Sequence, residues 1–153
     1  MNLRELIEKK YIIAIKSKNV DEVNTLRLIK SAIKDKDIEN RSRESSEGID
    51  DPKILSLLQS LVKQRKDSIE SFELAKRDDL VDKEKIELGI INNFLPKQHS
   101  IEETENIIKN VIKNENLSAL KDMGLLMKLL KKDYSGSMDM AMAGKIAKNL
   151  LNK

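Results

Sequence analysis

An all-α fold follows from three features of this 153-residue sequence. Apolar residues recur every three or four positions through each long segment. No stretch alternates apolar and polar residues as a half-buried strand does. Most of the five Gly and two Pro fall where the periodic patterns break. The expected architecture is a four-helix N-terminal part with long helices, followed by a small three-helix C-terminal bundle.

The first helix is expected from about Leu3 to Lys16, with Leu3, Ile7, Tyr11 and either Ala14 or Ile15 on its apolar stripe. Asn19 and Asp21 suit a turn and a cap. A second helix then runs from about Glu22 to Arg43 through Val23, Leu26, Ile29 or Lys30, and Ile33. Its stripe turns polar at Asp37. Ser42 to Gly48 reads as a polar, loose stretch. Asp50-Asp51-Pro52 opens a third helix, with Pro in the first turn and acids beside the positive end of the dipole. It reaches about Lys76 and carries Ile54, Leu57, Leu58, Leu61, Val62, Ile69, Phe72 and Ala75 on one face. A fourth helix covers about Val81 to Phe94, through Ile86, Leu88, Ile90 and Ile91.

Pro96 breaks the pattern, because the residue before proline disfavours the helical conformation. A domain boundary is expected here, giving parts 1–96 and 97–153. Ser100 and Glu103 have capping-box spacing, so a fifth helix starts at Ile101 and runs to about Asn114. A sixth starts at Ser118 or Leu120, with Met123, Leu126, Met127 and Leu130 on one side. After Tyr134-Ser-Gly-Ser137, a seventh covers about Met138 to Asn152.

Composition narrows the chemistry. Aromatic residues make up 3% and Trp is absent, so base-stacking platforms are nearly excluded. Cys is absent, which removes disulfides, thiolate metal sites and Cys nucleophiles. A single His, His99, leaves no His-based metal cluster. No apolar run approaches the roughly 20 residues of a membrane span. The N-terminus lacks a signal-peptide pattern, so a cytoplasmic protein is expected. No Gly-rich phosphate loop, nucleophile elbow or His-Glu metal helix is present. No catalytic residue, metal site or cofactor is therefore assigned.

Charge is placed unevenly. Residues 1–96 hold 19 basic and 19 acidic residues, whereas 97–153 hold 10 basic, all Lys, against 7 acidic. The whole net charge of +3 thus sits in the C-terminal part. Such a surface favours a polyanion, although an ordinary solvated surface has the same look.

Four groups of residues stand out. Arg65 falls on the apolar stripe with Leu58, Leu61 or Val62, Ile69 and Phe72, so its guanidinium must either pair internally, with Glu84 or Glu87, or face a ligand. Arg65 and Arg77 are candidates for a partner or interdomain groove. Lys97 and Gln98 follow the Pro break; they either present a cation and an amide to a phosphate or form a solvated linker. Lys121-Asp-Met-Gly124 opens a short helix whose N–H groups could hold a phosphate. The alternative there is a local cap from Ser118 or Asp122, with Met123 in the core and Gly124 allowing close helix packing. Lys128, Lys131 and Lys132 share one helical face and would contact phosphate, reading shape rather than sequence. The methionines at 123, 127, 138, 140 and 142 read as core filler or an adaptable surface. Asp78, Asp79, Asp82 and Glu84 read as a solvated helix start rather than a calcium loop.

Several of these pieces occur together in one known family. Lys63-Gln-Arg-Lys-Asp-Ser-Ile-Glu70, Phe72, Ala75 and Arg77-Asp-Asp-Leu80 are followed by Lys83-Glu84, Glu87-Leu88, Ile90-Ile91 and Phe94-Leu-Pro-Lys-Gln98. Ser100 to Glu103, Lys121-Asp-Met-Gly124 and Tyr134-Ser-Gly-Ser-Met-Asp139 complete the set. The combination resembles the GatB/YqeY family over essentially the whole chain. The resemblance implies two all-α parts, the second similar to the tail of the GatB subunit of the tRNA-dependent amidotransferase. That tail helps engage the tRNA body, and the catalytic cradle of GatB has no counterpart here. The implied function is non-catalytic tRNA-associated binding, with tRNA and an amidotransferase or aminoacyl-tRNA synthetase as partners. Two alternatives stand beside it. One is accessory or direct carbon-nitrogen ligase activity with glutamine as amido-N-donor; the other is a protein-protein adaptor without an RNA role.

Overall fold

Seven helices and no β-strand are present among the residues that the computed structural model describes, 2–41 and 48–152. The chain divides into two compact units, Met1–Leu95 and Pro96–Lys153. The first contains α1 (Leu3–Lys16), α2 (Val20–Arg41), α3 (Asp51–Leu74) and α4 (Asp78–Asn92). The second contains α5 (Ile101–Asn114), a 3-10 turn (Leu120–Asp122), α6 (Met123–Tyr134) and α7 (Met140–Leu151).

Side-chain caps set most helix starts. The Asn2 carboxamide accepts the Glu5 N–H at 2.8 Å and opens α1. Asn19, not Asp21, caps α2 by accepting the Glu22 N–H at 3.2 Å, so the helix begins two residues before the expected Glu22. The expected end at Arg43 and the polar stretch 42–47 lie outside the described residues. Asp50 caps α3 on the Lys53 N–H. α4 starts at Asp78 rather than Val81, which puts Asp78 and Asp79 in its first turn, where acids oppose the helix dipole. The Ser100–Glu103 capping box opens α5 at Ile101 as expected. α7 starts at Met140 rather than Met138, because Asp139 accepts the Ala141 and Met142 amides.

Each unit has its own core. Ile7 and Ala14 of α1, Leu26, Ile29 and Ile33 of α2, Ile54 and Leu58 of α3, and Ile91 of α4 are buried together in the first. Burying each such Leu or Ile contributes about 1.5–3 kcal/mol. At the two open choices of stripe residue, Ala14 is buried while Ile15 is exposed, and Ile29 is buried while Lys30 is not. Ala75 and Ile86, expected on apolar stripes, are exposed: Ala75 is the C-terminal cap of α3, and Ile86 falls off the face that carries Ile91. In the second unit Ile108, Leu126, Leu130, Met138, Ala143, Ala147 and Leu151 form the core, with Met123, Met127 and Met140 packed against it. Met138 is thus a buried plug ahead of α7. Thr25 and Thr104 are the buried polar residues, and each hydroxyl donates to the carbonyl four residues earlier.

The polar end of the α2 stripe has a structural reason. Arg4 of α1 grips Asp37 of α2 through both terminal nitrogens, at 2.8 and 3.0 Å. Arg4 also donates to the Ile49 carbonyl at 3.0 Å, and the Ile49 N–H donates to Asp37 at 2.8 Å. Asp51 accepts the Leu3 N–H. These bonds tie the entrance to α3 onto α1 and α2. Gly48 makes the close approach at φ +87°, and a Cβ there would sit 2.8 Å from Asp37 Oδ1 and 2.9 Å from Arg4 Nη2. Gly48→Ala is therefore expected to destabilise the first unit by about 2 kcal/mol, read by urea unfolding.

The Arg4 hydrogen bond holds the Asp37 carboxyl below the ordinary carboxylate range; burial opposes the effect and the Ile49 amide adds to it. A lowered folded value means the contribution is full above the unfolded value of about 3.9 and is lost as pH falls through the folded one. Asp37→Asn is expected to lower the thermal midpoint at neutral pH and to narrow its gap from the parent in acid. Equal gaps at both pH values contradict this.

Candidate nucleic-acid interface

The second unit distributes its charges unevenly. α5 carries Glu102, Glu103 and Glu105 with Lys109 and Lys113, whereas α6 and α7 carry Lys128, Lys131, Lys132, Lys145 and Lys148 against one acid within the helices, Asp133. All five lysines are exposed, and none forms an ion pair among the described residues. Their positions follow from packing. Leu126 and Leu130 turn one face of α6 into the core, leaving Lys128, Lys131 and Lys132 on the other. Ala143 and Ala147 do the same for α7 and leave Lys145 and Lys148 outside. The sequence reading had overlooked the α7 pair, although it already lay in the Lys-only excess. Lys131 and Lys132 sit in the last turn of α6, where their charge offsets the negative end of the helix dipole. Long lysine stems reach a phosphate without burying charge.

At the Lys121 turn, Asp122 accepts the Ser118 and Ala119 N–H groups at 2.9 and 3.3 Å. The same two amides hold its carboxyl below the ordinary range. The turn is thus capped by a carboxylate of the chain itself, and its start is a 3-10 turn rather than an α-helix beginning at Ser118 or Leu120. Lys121 is exposed beside it. Gly124 does not serve close packing: a Cβ there would meet nothing within 4 Å.

Lys97 is exposed, but Gln98 is engaged within the unit. Its carboxamide donates to the Pro96 and Gly136 carbonyls. The next residue, His99, donates its N–H to the Ser137 carbonyl at 2.8 Å and lays its ring edge-on to Tyr134, with centroids 5.8 Å apart. Gln98 and His99 thus strap the segment before α5 to the turn after α6, which neither reading of the sequence had foreseen.

In the first unit, Arg65 turns into the α3–α4 contact, with 15% of its side chain exposed. Its Nε lies 3.0 Å from Glu87 Oε2 and 3.3 Å from Glu84 Oε2. Only the Glu87 contact has hydrogen-bond geometry; Glu84 Oε2 is buried and held by charge alone. Arg77 lies at the surface, clasping Asp79 through Nε and Nη2 at 3.2 and 3.1 Å. Of the acids at 78–84, Asp79 thus pairs with Arg77 and Glu84 with Arg65. Among the described residues, no three His, Asp or Glu are grouped to hold a metal ion. No described helix is long and apolar enough to cross a membrane.

The profile of the "Yqey-like protein" family matches residues 4–151. The chain belongs to the YqeY family. Its relatives include a Schizosaccharomyces pombe protein, 33% identical over 99 residues that cover 65% of this chain and 76% of that one. The "Altered inheritance of mitochondria protein 41, mitochondrial" of Saccharomyces cerevisiae (strain YJM789) is 34% identical over 126 residues, or 82% of this chain and 64% of that one. A protein of the same name in Pyrenophora tritici-repentis is 34% identical over 92 residues, 60% and 48% of the two chains. The YqeY chain thus spans between about half and three quarters of the length of these relatives.

Proposed function

We propose that this YqeY chain binds tRNA without catalysing a reaction on it, through the exposed lysines of α6 and α7. The observation that carries the reading is the lysine excess on α6 and α7: five exposed lysines, unpaired among the described residues, against a single acid within the two helices. With few aromatic side chains for stacking, affinity comes from phosphate contacts and counterion release. The resemblance of the C-terminal part to the GatB tail supports the same polyanion. Lys121 and Lys97, exposed in the same unit, would add secondary contacts. The first unit would engage a protein of tRNA charging or amidation.

Gel-shift titration with bulk tRNA tests this. Binding should be clear at low salt and weaken steeply as salt rises. Affinity for tRNA no greater than for an acidic protein of similar charge contradicts it.

A further inference from the structure

A groove of about 600 Å³ runs between α1 and α2 of the first unit. Arg4, Glu8 and Tyr11 line it from α1, and Arg27, Lys30 and Lys34 from α2. The two helices are antiparallel, since Arg4 meets Asp37 while Tyr11 meets Arg27 and Lys30. The charges are not balanced. Arg4 is used by Asp37, and Lys30 by Glu8 at 2.8 Å and by the Tyr11 ring at 4.2 Å. Among the described residues, Arg27 hydrogen-bonds to the Tyr11 hydroxyl, at 3.5 Å, and neither it nor Lys34 forms an ion pair with a carboxylate.

Arg27 and Lys34 are seven residues apart, about 10.5 Å along α2, and Arg41 lies a further heptad on. At 100° per residue, the sector within about 60° of this line holds Lys30 and Ser31, with Asp37 at its edge and already used by Arg4; Asp35 falls outside it. This stripe disappears in the 19-against-19 charge count because acids elsewhere in the part cancel it. Isoleucines bracket the groove. Ile15, one turn beyond Tyr11, is 49% exposed, and Ile38, one turn beyond Lys34, is 52% exposed.

The geometry points to a docking surface for an acidic amphipathic helix of a partner protein, laid along the α1–α2 groove. Two features favour a protein over RNA. Exposed isoleucines at both ends gain from an apolar partner and gain nothing from a phosphodiester backbone. The Tyr11 face that would stack a base is covered by the Lys30 ammonium. The docked helix would place two carboxylates a heptad apart over Arg27 and Lys34, with aliphatic residues at either end against Ile15 and Ile38. Charge complementarity of this kind gives specificity and fast association. The inference stands independently of the tRNA reading, which uses the other unit.

The test uses the full chain and a fluorescein-labelled, side-chain-stapled helical peptide of about four turns. One face carries Leu at both ends and two Glu a heptad apart between them. Fluorescence anisotropy should show binding that is at least about tenfold weaker for R27E/K34E and for I38D. It should be unchanged for K128E/K131E/K132E, with all variants folded by circular dichroism. The inference fails if the peptide binds no more tightly than its Gln-for-Glu counterpart. It also fails if R27E/K34E lowers tRNA affinity and leaves the peptide unaffected, which assigns the stripe to RNA.

Discussion

Arg65→Met is expected to lower the stability of the first unit by about 2 kcal/mol, read as a fall in the urea midpoint at constant slope. Methionine nearly fills the arginine volume, so the loss comes from charge. Glu84 and Glu87, both about four-fifths covered, would face each other without the guanidinium between them. Removing one member of a largely buried ion cluster strands the others, and that cost exceeds the net worth of the intact cluster. Adding E84Q and E87Q to Arg65→Met should recover most of the loss. If the single variant is as stable as the parent, the cluster is solvated and Arg65 is not anchored as described.

Charge reversal at Lys128, Lys131 and Lys132 is expected to lower tRNA affinity about 100-fold at moderate salt. The slope of log affinity against log salt should fall by about 3, close to one released counterion for each contact removed. The fold should not change, because the three side chains are exposed and Leu126 and Leu130 keep the other face of α6 in the core. Reversal of Lys9, Lys10 and Lys16 on α1 serves as the charge-matched control and should cost far less. An equal loss in both variants would mean that bulk charge alone attracts the RNA.

How far these features could be read in advance depended on their range in sequence. The all-α class was legible because apolar spacing is a local signal, repeated in every helix. So was the Arg65 cluster: a cation on an apolar stripe demands partners, and Glu84 and Glu87 face it from the next helix in the chain. The Arg4–Asp37–Gly48 clamp was not legible. Its members are 33 residues apart or lie beyond an intervening segment, and no local pattern announces the pairing. The helix start at Val20 was displaced because a cap is decided by which side chain reaches an amide, and Asn19 and Asp21 are equivalent on composition; α4 starts at Asp78 with no side-chain cap, so no capping residue marked that boundary. In the lysine-weighted unit, counting charge by segment found the excess, and only the fold showed that it is concentrated on α6 and α7, since the two lysines of α5 are outnumbered by its three acids. Gln98 looked available because it follows a Pro break, yet its amide is engaged by Gly136, 38 residues on. The α2 stripe was hidden for the opposite reason: summing over the whole part cancelled what a helical wheel separates.

Lysine acetylation footprinting, with and without saturating tRNA and quantified residue by residue by mass spectrometry, tests most directly which surface engages RNA. Strong protection is predicted at Lys128, Lys131, Lys132, Lys145 and Lys148, with Lys9, Lys10, Lys53 and Lys63 modified as fast as in the free protein. Protection spread evenly over both units, or confined to the first, would contradict a tRNA interface on α6 and α7.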